Sequence, residues 1–477
     1  MNSKIKSLRA IEILDSRGKP TVEAQVVTED GTVAVASVPS GASVGKYEAH
    51  ELRDGENNRF GGKGVLRACE SVKEIEKELI GVDAREQTTV DGKMLALDGT
   101  ENKSRLGANA ILSVSLAVAR AAASSMKIPL YAHLKAIASG GAEDSLPYNT
   151  VAFSGDAEKL FSLGGSEKLE TEAPIATNEI GGIKSSQLHE KGDLSARNFA
   201  GAYALPCPMM NILNGGAHAS NNLDIQEFMI VPIGIFNFSE QLRAGAEIYS
   251  ALGKILKSRG YSTSVGDEGG FAPNLSGDEE AIELILEAVK TAGYTEEQVK
   301  ISLDVASSEW ASSGKYLLPK SKESYTAEGL IAKYSAWLDK YPIFSIEDGL
   351  GEDDTDGWQK MTEALSKRCL LVGDDLFVTN EKRLSSLSSA GCGNAILIKP
   401  NQIGTLSEVI SVMKLADSLG YTTIISHRSG DTEDPFIADI GTALGATLIK
   451  SGAPCRAERL SKYNRLLRIE AALSGKL

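Results

Sequence analysis

Polar side chains follow six short apolar runs in the C-terminal half of the chain, each at the point where the run ends. The runs are rich in Ile, Leu and Val, and the residues that follow carry carboxylates, cations or hydroxyl groups. In chain order these residues are Asp304, Glu347 with Asp348, Asp374 with Asp375, Lys399, His427 with Arg428 and Ser429, and Lys450. If the runs are parallel strands of one sheet, their carboxyl ends meet at one edge and these side chains share a site.

The residue types predict a metal site beside a base. Asp304, Glu347 and Asp374 offer three carboxylates with no Cys or His among them, and such hard oxygen donors suit Mg²⁺. Without a cation, carboxylates packed together would repel one another or take up protons. A lysine must be neutral to accept a proton, and we expect a nearby metal ion and Lys450 to lower the pKa of Lys399 and so activate it.

Each of these residues has a simpler explanation when it is taken alone. An acid after a strand is often the N-cap of the next helix. A lysine at a strand end often extends its ammonium group into water. However, six successive runs end in carboxylates, cations or hydroxyl groups that could act together, and this pattern favours a shared site.

The spacing of the runs predicts the elements that position these residues. After the first interval the runs recur about every 25 residues, and helical stretches such as "DEEAIELILEAVKTAG" alternate with them. This βα rhythm is typical of parallel strands buried on both faces. Six units in one direction favour a closed (β/α)8-type barrel over an open doubly wound sheet. We therefore predict an α/β fold with a barrel over residues 204–477.

The residues before the barrel form two segments of different character. Residues 1–137 begin with three runs of alternating polarity, predicted as short antiparallel strands, and continue as helices, of which "ANAILSVSLAVARAAAS" is apolar enough to be buried. We predict an N-terminal α+β domain there. Residues 138–203 are rich in Gly, Ser and acids without a sustained period, and we predict an irregular insertion or linker.

Three further segments resemble loops that contribute to a site. They are 39–49 with Ser43, 214–230 with His218, Gln226 and Glu227, and 265–274 with Asp267 and Glu268. Glycine-rich turns are usually only turns, and a lone histidine such as His218 more often lies in a turn or a core. The first segment is no phosphate-binding Walker A motif, because it lacks the GK[ST] ending.

Composition narrows the class of protein. The chain has 477 residues and a formal net charge of −14, which argues against nucleic acid or an anionic membrane as the main partner. An anionic substrate would need local positive charge. No apolar run approaches the length of a membrane span, and the N-terminus lacks the apolar stretch of a signal peptide. The five scattered cysteines form no CxxC pair, so we expect a reducing, cytoplasmic location.

Taken together, the motifs resemble the enolase family, the 2-phosphoglycerate dehydratases of glycolysis and gluconeogenesis, and they resemble bacterial members more closely than animal ones. The matching segments run in family order from about residue 4 to 473, interrupted only at about 138–203. They are "SGASVGKYEAHELRD", "PMMNILNGGAHASNNLDIQEFMIVP", "GDEGGFAPN", "LDVASSE", "SIEDG", "VGDDLFVTN", "LIKPNQIGT", "SHRSGDTEDPFIAD" and "KSGAPCRAERLSKYNRLLRIE".

This resemblance implies a phosphopyruvate hydratase that uses two Mg²⁺ per site to interconvert 2-phosphoglycerate and phosphoenolpyruvate. Its residues would divide the work as follows. Asp304, Glu347 and Asp374 would hold the first Mg²⁺, and Ser43 would help bind the second together with the phosphate. Lys399 would take the C2 proton, and Glu268 with support from Glu227 would protonate the leaving hydroxyl. The substrate would be covered by His218 and held by Arg428 and Ser429 at its phosphate, by Lys450 at its carboxylate, and by Gln226 and His427.

The resemblance also implies a homodimer or a higher even oligomer. Arg17, Glu23, Arg468 and Glu470 stand where the family pairs an N-terminal strand with the C-terminal helix of the partner. Two alternatives remain open: another enzyme of the superfamily that acts on an unphosphorylated acid sugar, and a binding or scaffold protein that retains the fold. The family joins its domains with far fewer residues than 138–203, so we interpret that segment as an insertion.

Overall fold

The computed structural model describes residues 2–41, 45–140, 203–312 and 314–477. The chain begins with a three-stranded antiparallel sheet in the order β1–β2–β3, as the alternating polarity predicts. The strands are β1 (Ile5–Leu14), β2 (Pro20–Thr28) and β3 (Val33–Ser37). In β3 exposed and buried residues alternate, so one face of the sheet carries the apolar side chains.

Four helices follow this sheet. They are α1 (Leu66–Leu79), α2 (Gln87–Asp98), α3 (Ala108–Met126) and α4 (Leu130–Ala138). Helix α3 packs against β2 and β3 and is buried on nearly all sides, as predicted from its Ala- and Leu-rich sequence. By length and composition alone α3 could cross a membrane, contrary to the expectation from sequence, but 83% of it is buried inside the protein. It is the core helix of the N-terminal domain.

The C-terminal part forms a closed eight-stranded barrel in the order β10–β11–β12–β13–β14–β4–β5–β6. The barrel strands are β4 (Cys207–Asn214), β5 (Glu227–Val231), β6 (Lys300–Asp304), β10 (Ile343–Glu347), β11 (Leu370–Gly373), β12 (Ala395–Ile398), β13 (Thr422–Ser426) and β14 (Leu448–Lys450). A small antiparallel sheet of β7 (Ala311–Ser312), β8 (Lys315–Leu317) and β9 (Ser324–Tyr325) fills the long first interval.

Helices accompany the barrel strands along the chain. They are α5 (Phe238–Ser258), α6 (Asp278–Thr291), α7 (Ala327–Lys340), α8 (Thr355–Leu365), α9 (Glu381–Ser389), α10 (Pro400–Ile403), α11 (Leu406–Ser418), α12 (Phe436–Leu444) and α13 (Ala457–Leu473). The six predicted apolar runs are all barrel strands and all parallel. The predicted fold class, an α+β domain before an α/β barrel, is confirmed.

The expectation of a uniform βα repeat is wrong at one strand. β5 runs antiparallel to both neighbours, β4 and β6. The physical reason is its connection: no long crossover helix separates β4 from β5, so the chain turns back and pairs in the opposite direction. Part of the segment 214–230, predicted as a loop, is therefore strand.

The N-terminal domain contacts the barrel close to the carboxyl ends of its strands. Ser40 forms an antiparallel bridge with Gly430, which follows β13. Buried Lys103 pairs with Glu408 at 2.8 Å. Arg17 donates to the carbonyl oxygens of Ser40 and Gly41 in its own chain, and its expected place at an oligomer interface stays a prediction. These contacts fix the start of the loop over residues 39–49 at the barrel mouth.

The barrel interior is filled by side chains rather than by solvent. Alternate strand residues form its core: Cys207, Met209, Met229, Val231, Ile233, Phe344, Leu370, Val372, Ala395, Leu397, Ile424 and Leu448. Phe344 is the largest of them and is only 3% exposed. The polar residues at the mouth therefore rest on an apolar base that limits their movement.

We predict that Phe344→Ala lowers the free energy of unfolding by about 3–5 kcal/mol, because it leaves a cavity in this core. Urea denaturation followed by circular dichroism measures the change. Phe236→Ala is the matched control, since Phe236 is 54% exposed, and we expect a change of about 0.5 kcal/mol or less. Equal losses in the two variants would contradict the assignment of Phe344 to a packed core.

Candidate active site

The register of the barrel brings three carboxylates side by side at its mouth. Asp304 at the end of β6 pairs with Glu347 at the end of β10 and with Glu227 at the start of β5. Because β5 is antiparallel, its first residue, and not its last, lies at the mouth. The side chains of all three are at most 5% exposed. Like charges that lie so close together and so well shielded from water require a counter-charge.

Lys450 supplies that counter-charge from the end of β14. Its Nζ donates to Asp304 Oδ2 at 2.8 Å and to both carboxylate oxygens of Glu347 at 2.9 and 3.0 Å, and it lies 3.1 Å from Glu227 Oε2. Burial lowers the pKa of Lys450, but the three carboxylates outweigh burial, and the pKa is raised well above its usual value. The three carboxylates therefore favour the charged form of Lys450.

Glu227 and Glu347 hold protons more tightly than usual. Burial, followed by repulsion from Glu268, raises the pKa of Glu227 well above its ordinary value. Burial and the charge of Asp304 do the same for Glu347, and Lys450 offsets only part of both effects. The single positive charge of Lys450 does not fully balance this cluster. The remaining negative charge would favour the binding of a further cation.

Lys399 follows β12 and contacts Asp374 at the end of the neighbouring strand. Its Nζ donates to Asp374 Oδ2. Burial lowers the pKa of Lys399, as do the charges of Arg428 and Lys450, but Asp374 and Glu347 prevail and the pKa is raised. Lys450 lowers the pKa of Lys399 in the expected direction, and the lowering expected from a metal ion stays a prediction. The sequence does not reveal that a carboxylate touches the ammonium group directly.

A second group of titratable residues lies on the other side of the mouth. His218 Nδ1 is 3.4 Å from Glu227 Oε1 and 3.8 Å from Glu268 Oε1. Glu268 Oε2 accepts a hydrogen bond from Asn211 Nδ2 at 3.0 Å. Burial raises the pKa of Glu268, but the imidazoles of His427 and His218 outweigh it and the pKa is lowered. Of the coupled pair, Glu227 therefore holds a proton more firmly than Glu268.

His427 adjoins this group as a neutral ring. Burial lowers its pKa to about 4. Its Nδ1 lies 2.7 Å from Nη1 of Arg459, which can only donate, so the ring proton is on Nε2. That nitrogen faces Glu268 Oε2 at 3.4 Å. A proton on Nε2 of His427 therefore favours the anionic form of Glu268.

Arg428 and Ser429 occupy the rim nearest the N-terminal domain. Arg428 forms a bidentate pair with Glu48, at 2.9 and 3.1 Å, and also donates to Asn401 Oδ1 at 3.2 Å. Ser429 Oγ accepts from Arg17 Nη1 at 3.3 Å. Both residues therefore lie where the N-terminal loop meets the barrel.

The described residues include two sets of ligand atoms close enough to hold a metal ion. One set is His218, Glu227 and Glu268, and the other is Asp348, Asp374 and Asp375. Asp348 has a positive φ of 41°, and the bend lets its carboxylate accept the backbone N–H groups of Asp374 and Asp375, both at 2.9 Å. Asp374 belongs both to this set and to the predicted ligands.

The predicted ligands fit a magnesium ion by chemistry. Asp304 and Glu347 are buried and the side chain of Asp374 is 13% exposed, and carboxylate oxygens are the donors that Mg²⁺ prefers. Lys450 and Lys399 now neutralise them. The chemistry of the donor set thus agrees with a divalent cation held between β6, β10 and β11.

Two family models match most of the chain. Residues 5–134 match "Enolase, N-terminal domain", and residues 202–477 match "Enolase, C-terminal TIM barrel domain". The chain belongs to the enolase family. The resemblance of the sequence motifs to enolases is thereby confirmed.

Most of the predicted site residues of this enolase line one cavity at the barrel mouth. They are His218, Gln226, Glu227, Glu268, Asp304, Asp374, Lys399, His427, Arg428, Ser429 and Lys450. Glu347 reaches the cavity through its hydrogen bonds to Lys450, and Gln226 Nε2 lies 3.4 Å from Asp304 Oδ2. Ser43 and residues 141–202 of the predicted insertion lie outside the described residues, so the part assigned to them stays a prediction.

Three residues to which the sequence assigned no individual role contact the predicted site residues. Asn211 holds Glu268, Asp348 holds the backbone of Asp374 and Asp375, and Glu48 pairs with Arg428. Asp348 is among the polar residues that end the predicted strands, but its contacts with the backbone of Asp374 and Asp375 were not predicted. Glu48 lies in the quoted loop, but its partner is 380 positions away along the chain.

Asp278, the first residue of α6, fixes the segment that leads into β5. Its carboxylate accepts the backbone N–H groups of Asp224 and Ile225, at 3.0 and 3.3 Å. Burial raises the pKa of Asp278 to about 6, although the N–H of Ile225 acts in the opposite direction. The position of Gln226 and Glu227 therefore depends on the carboxyl group of Asp278, whose raised pKa favours the protonated form.

We predict that Asp278 makes stability depend on pH. An unfolded aspartate has a pKa of about 3.9, below the folded value, so its contribution is complete below about pH 4 and is lost as the pH rises through 6. Between pH 4.5 and 7.5 the wild type should lose about 1 kcal/mol more than Asp278→Asn, whose side chain is always neutral and still accepts hydrogen bonds. Thermal unfolding across this range measures the difference.

Asp339→Asn is the control, because the side chain of Asp339 is 73% exposed, and its profile should follow the wild type. Parallel profiles for wild type and Asp278→Asn would contradict the prediction.

Proposed function

We propose that this enolase catalyses the reversible dehydration of 2-phosphoglycerate to phosphoenolpyruvate. The observation that carries the proposal is the opposition of base and acid across the cavity. Lys399 follows β12, and the proposed acid Glu268 lies beside Glu227, which begins β5. Strands β12 and β5 are four positions apart in a ring of eight. A substrate between them would meet a proton acceptor on one face and a proton donor on the other, as a dehydration requires.

The positive charges of the cavity suit a substrate with two anionic groups. The chain as a whole is strongly acidic, yet Lys450 and Arg428 lie at separate positions of this mouth. Lys450 is placed for the carboxylate of the substrate, and Arg428 with Ser429 for its phosphate. A planar guanidinium group binds phosphate oxygens through two parallel hydrogen bonds, which supports a phosphorylated substrate over a plain acid sugar.

Asp304, Glu347 and Asp374 would hold Mg²⁺, and Ser43 is proposed for a second ion. When bound, Mg²⁺ supplies positive charge beside the substrate carboxylate, which offsets the charge that develops as the C2 proton leaves. Asp374 cannot give the same lone pair to a cation and to Lys399. Loss of that contact removes the main cause of the raised pKa of Lys399 and favours the neutral amine, which is the basic form.

The remaining steps belong to residues of the chain. Lys399 Nζ takes the C2 proton while Lys450 holds the carboxylate. The Glu268–Glu227 pair shares a proton and delivers it to the departing 3-hydroxyl, with Glu268 as the donor and Glu227, whose pKa is raised, as the reservoir. His218, within 3.8 Å of both, covers the pair. Gln226 and His427 complete the wall of the cavity.

The proposal includes the wider setting of the enzyme. Residues 1–137 form the capping domain, residues 138–203 an insertion, and residues 204–477 the catalytic barrel. We place the protein in the cytoplasm as a homodimer or higher even oligomer that acts in glycolysis and gluconeogenesis, without nucleic acid or membrane as a partner.

Turnover of 2-phosphoglycerate by the purified protein tests the proposal, followed by the ultraviolet absorbance of phosphoenolpyruvate. We predict that a chelator abolishes activity and that added Mg²⁺ restores it. Without the ion, the carboxylates proposed to bind it remain paired with Lys399 and Lys450. Unphosphorylated sugar acids serve as the comparison substrates. Turnover of a sugar acid instead, or full activity after thorough chelation, would refute the assignment.

Two variants should separate the half-reactions. We predict that Glu268→Gln loses dehydration but still exchanges the C2 hydrogen of 2-phosphoglycerate with deuterated water, since Lys399 acts first. Lys399→Ala should lose both. Nuclear magnetic resonance of the substrate in deuterated buffer with Mg²⁺ measures the exchange. Exchange at the wild-type rate by Lys399→Ala would show that another group is the base.

A further inference from the structure

Arg428 already holds an anion that belongs to its own chain. Its Nη1 donates to Glu48 Oε2 at 2.9 Å and its Nη2 donates to Glu48 Oε1 at 3.1 Å. The side chains are 5% and 4% exposed, so water does not screen the pair. The same two-pronged geometry is the one by which arginine recognises phosphate oxygens.

Glu48 is held firmly in this position by neighbours from both domains. Its Oε1 accepts the backbone N–H of Gly45 at 3.1 Å and Nε2 of Gln402 at 3.3 Å. The adjacent Tyr47 donates its hydroxyl to Asp353 at 2.8 Å. The carboxylate of Glu48 is therefore a fixed occupant of the cavity rim, and it lines the same cavity as Lys399 and Lys450.

We propose that Glu48 is an internal competitor for the anion position of Arg428, and that an incoming phosphate group binds by displacing its carboxylate. The proposal rests on the proposed function only in naming phosphate as the incoming group. Two anions cannot accept the same pair of N–H groups, and side by side they would repel each other. A phosphate dianion can displace the carboxylate, whereas a monoanionic group of similar charge to Glu48 gains little, so the competition adds selectivity.

Binding of inorganic phosphate to the full-length protein in Mg²⁺ buffer tests the competition, with isothermal titration calorimetry as the measurement. Glu48→Gln keeps the shape of the side chain but not its charge, and we expect the Kd for phosphate to fall about tenfold. Glu48→Asp keeps the charge but shortens the side chain, so it loses the two-pronged reach to Arg428. We expect it to bind phosphate about threefold more tightly than the wild type.

Glu51→Gln is the matched control for the loss of a nearby charge. Glu51 lies in the same part of the chain, acts on Arg428 through space and pairs with Arg53 at 2.7 Å. We expect its Kd for phosphate to stay within about twofold of the wild type. A gain equal to that of Glu48→Gln would show that net charge, and not competition, governs phosphate binding.

The double variant Glu48→Gln with Arg428→Gln removes both partners, and it should bind phosphate no better than Arg428→Gln alone. Unchanged or weaker binding by both Glu48 variants would overturn the proposal, and weaker binding would show that Glu48 orients Arg428 for the ligand. If Glu48→Gln does not fold, Glu48→Asp decides alone. Turnover of 2-phosphoglycerate is measured separately, so tighter phosphate binding without turnover would refute the substrate and leave the competition standing.

Discussion

Repulsion among buried carboxylates is the constraint on which the rest of the site depends. Glu227, Asp304 and Glu347 are fixed at strand ends in one register, and they cannot move apart as they would in water. The chain meets this constraint with Lys450, whose buried ammonium group contacts all three. A buried charge without such a partner would cost several kcal/mol, so neither side of this cluster is stable alone.

The closed barrel makes this arrangement possible. Seven strands present their polar residues from their carboxyl ends or just beyond, and the antiparallel β5 presents Glu227 from its first residue. Below the mouth, packed apolar side chains such as Phe344 and Leu397 hold the strands at fixed spacing. Above it, the bridge between Ser40 and Gly430 brings the N-terminal loop to the rim. The site therefore depends on both domains, although most of its charged groups come from the barrel.

The sequence was sufficient for the six parallel strands and their polar ends, because each is a short apolar run that stops at a charged residue. It was insufficient for β4, whose residues are all buried but whose "CPMMNILN" contains Pro and Asn, and for β5, whose charged residue comes first. The sequence could not predict the raised pKa of Lys399, for a different reason. Its sign depends on contact with Asp374, and sequence gives residue types but not contacts.

Three cations of the cavity are each paired with a carboxylate of the same chain: Lys399 with Asp374, Lys450 with Asp304 and Glu347, and Arg428 with Glu48. These pairs allow the folded chain to carry many charges in a dry cavity. The proposed divalent cation would need the carboxylates of the first two pairs, and the proposed anionic substrate would need Lys450 and Arg428. If both ligands bind as proposed, each would remove counter-charges that hold the groups the other requires, and by linkage the effect would be reciprocal. An ion-paired cavity of this kind favours joint binding of metal and anion over binding of either one alone.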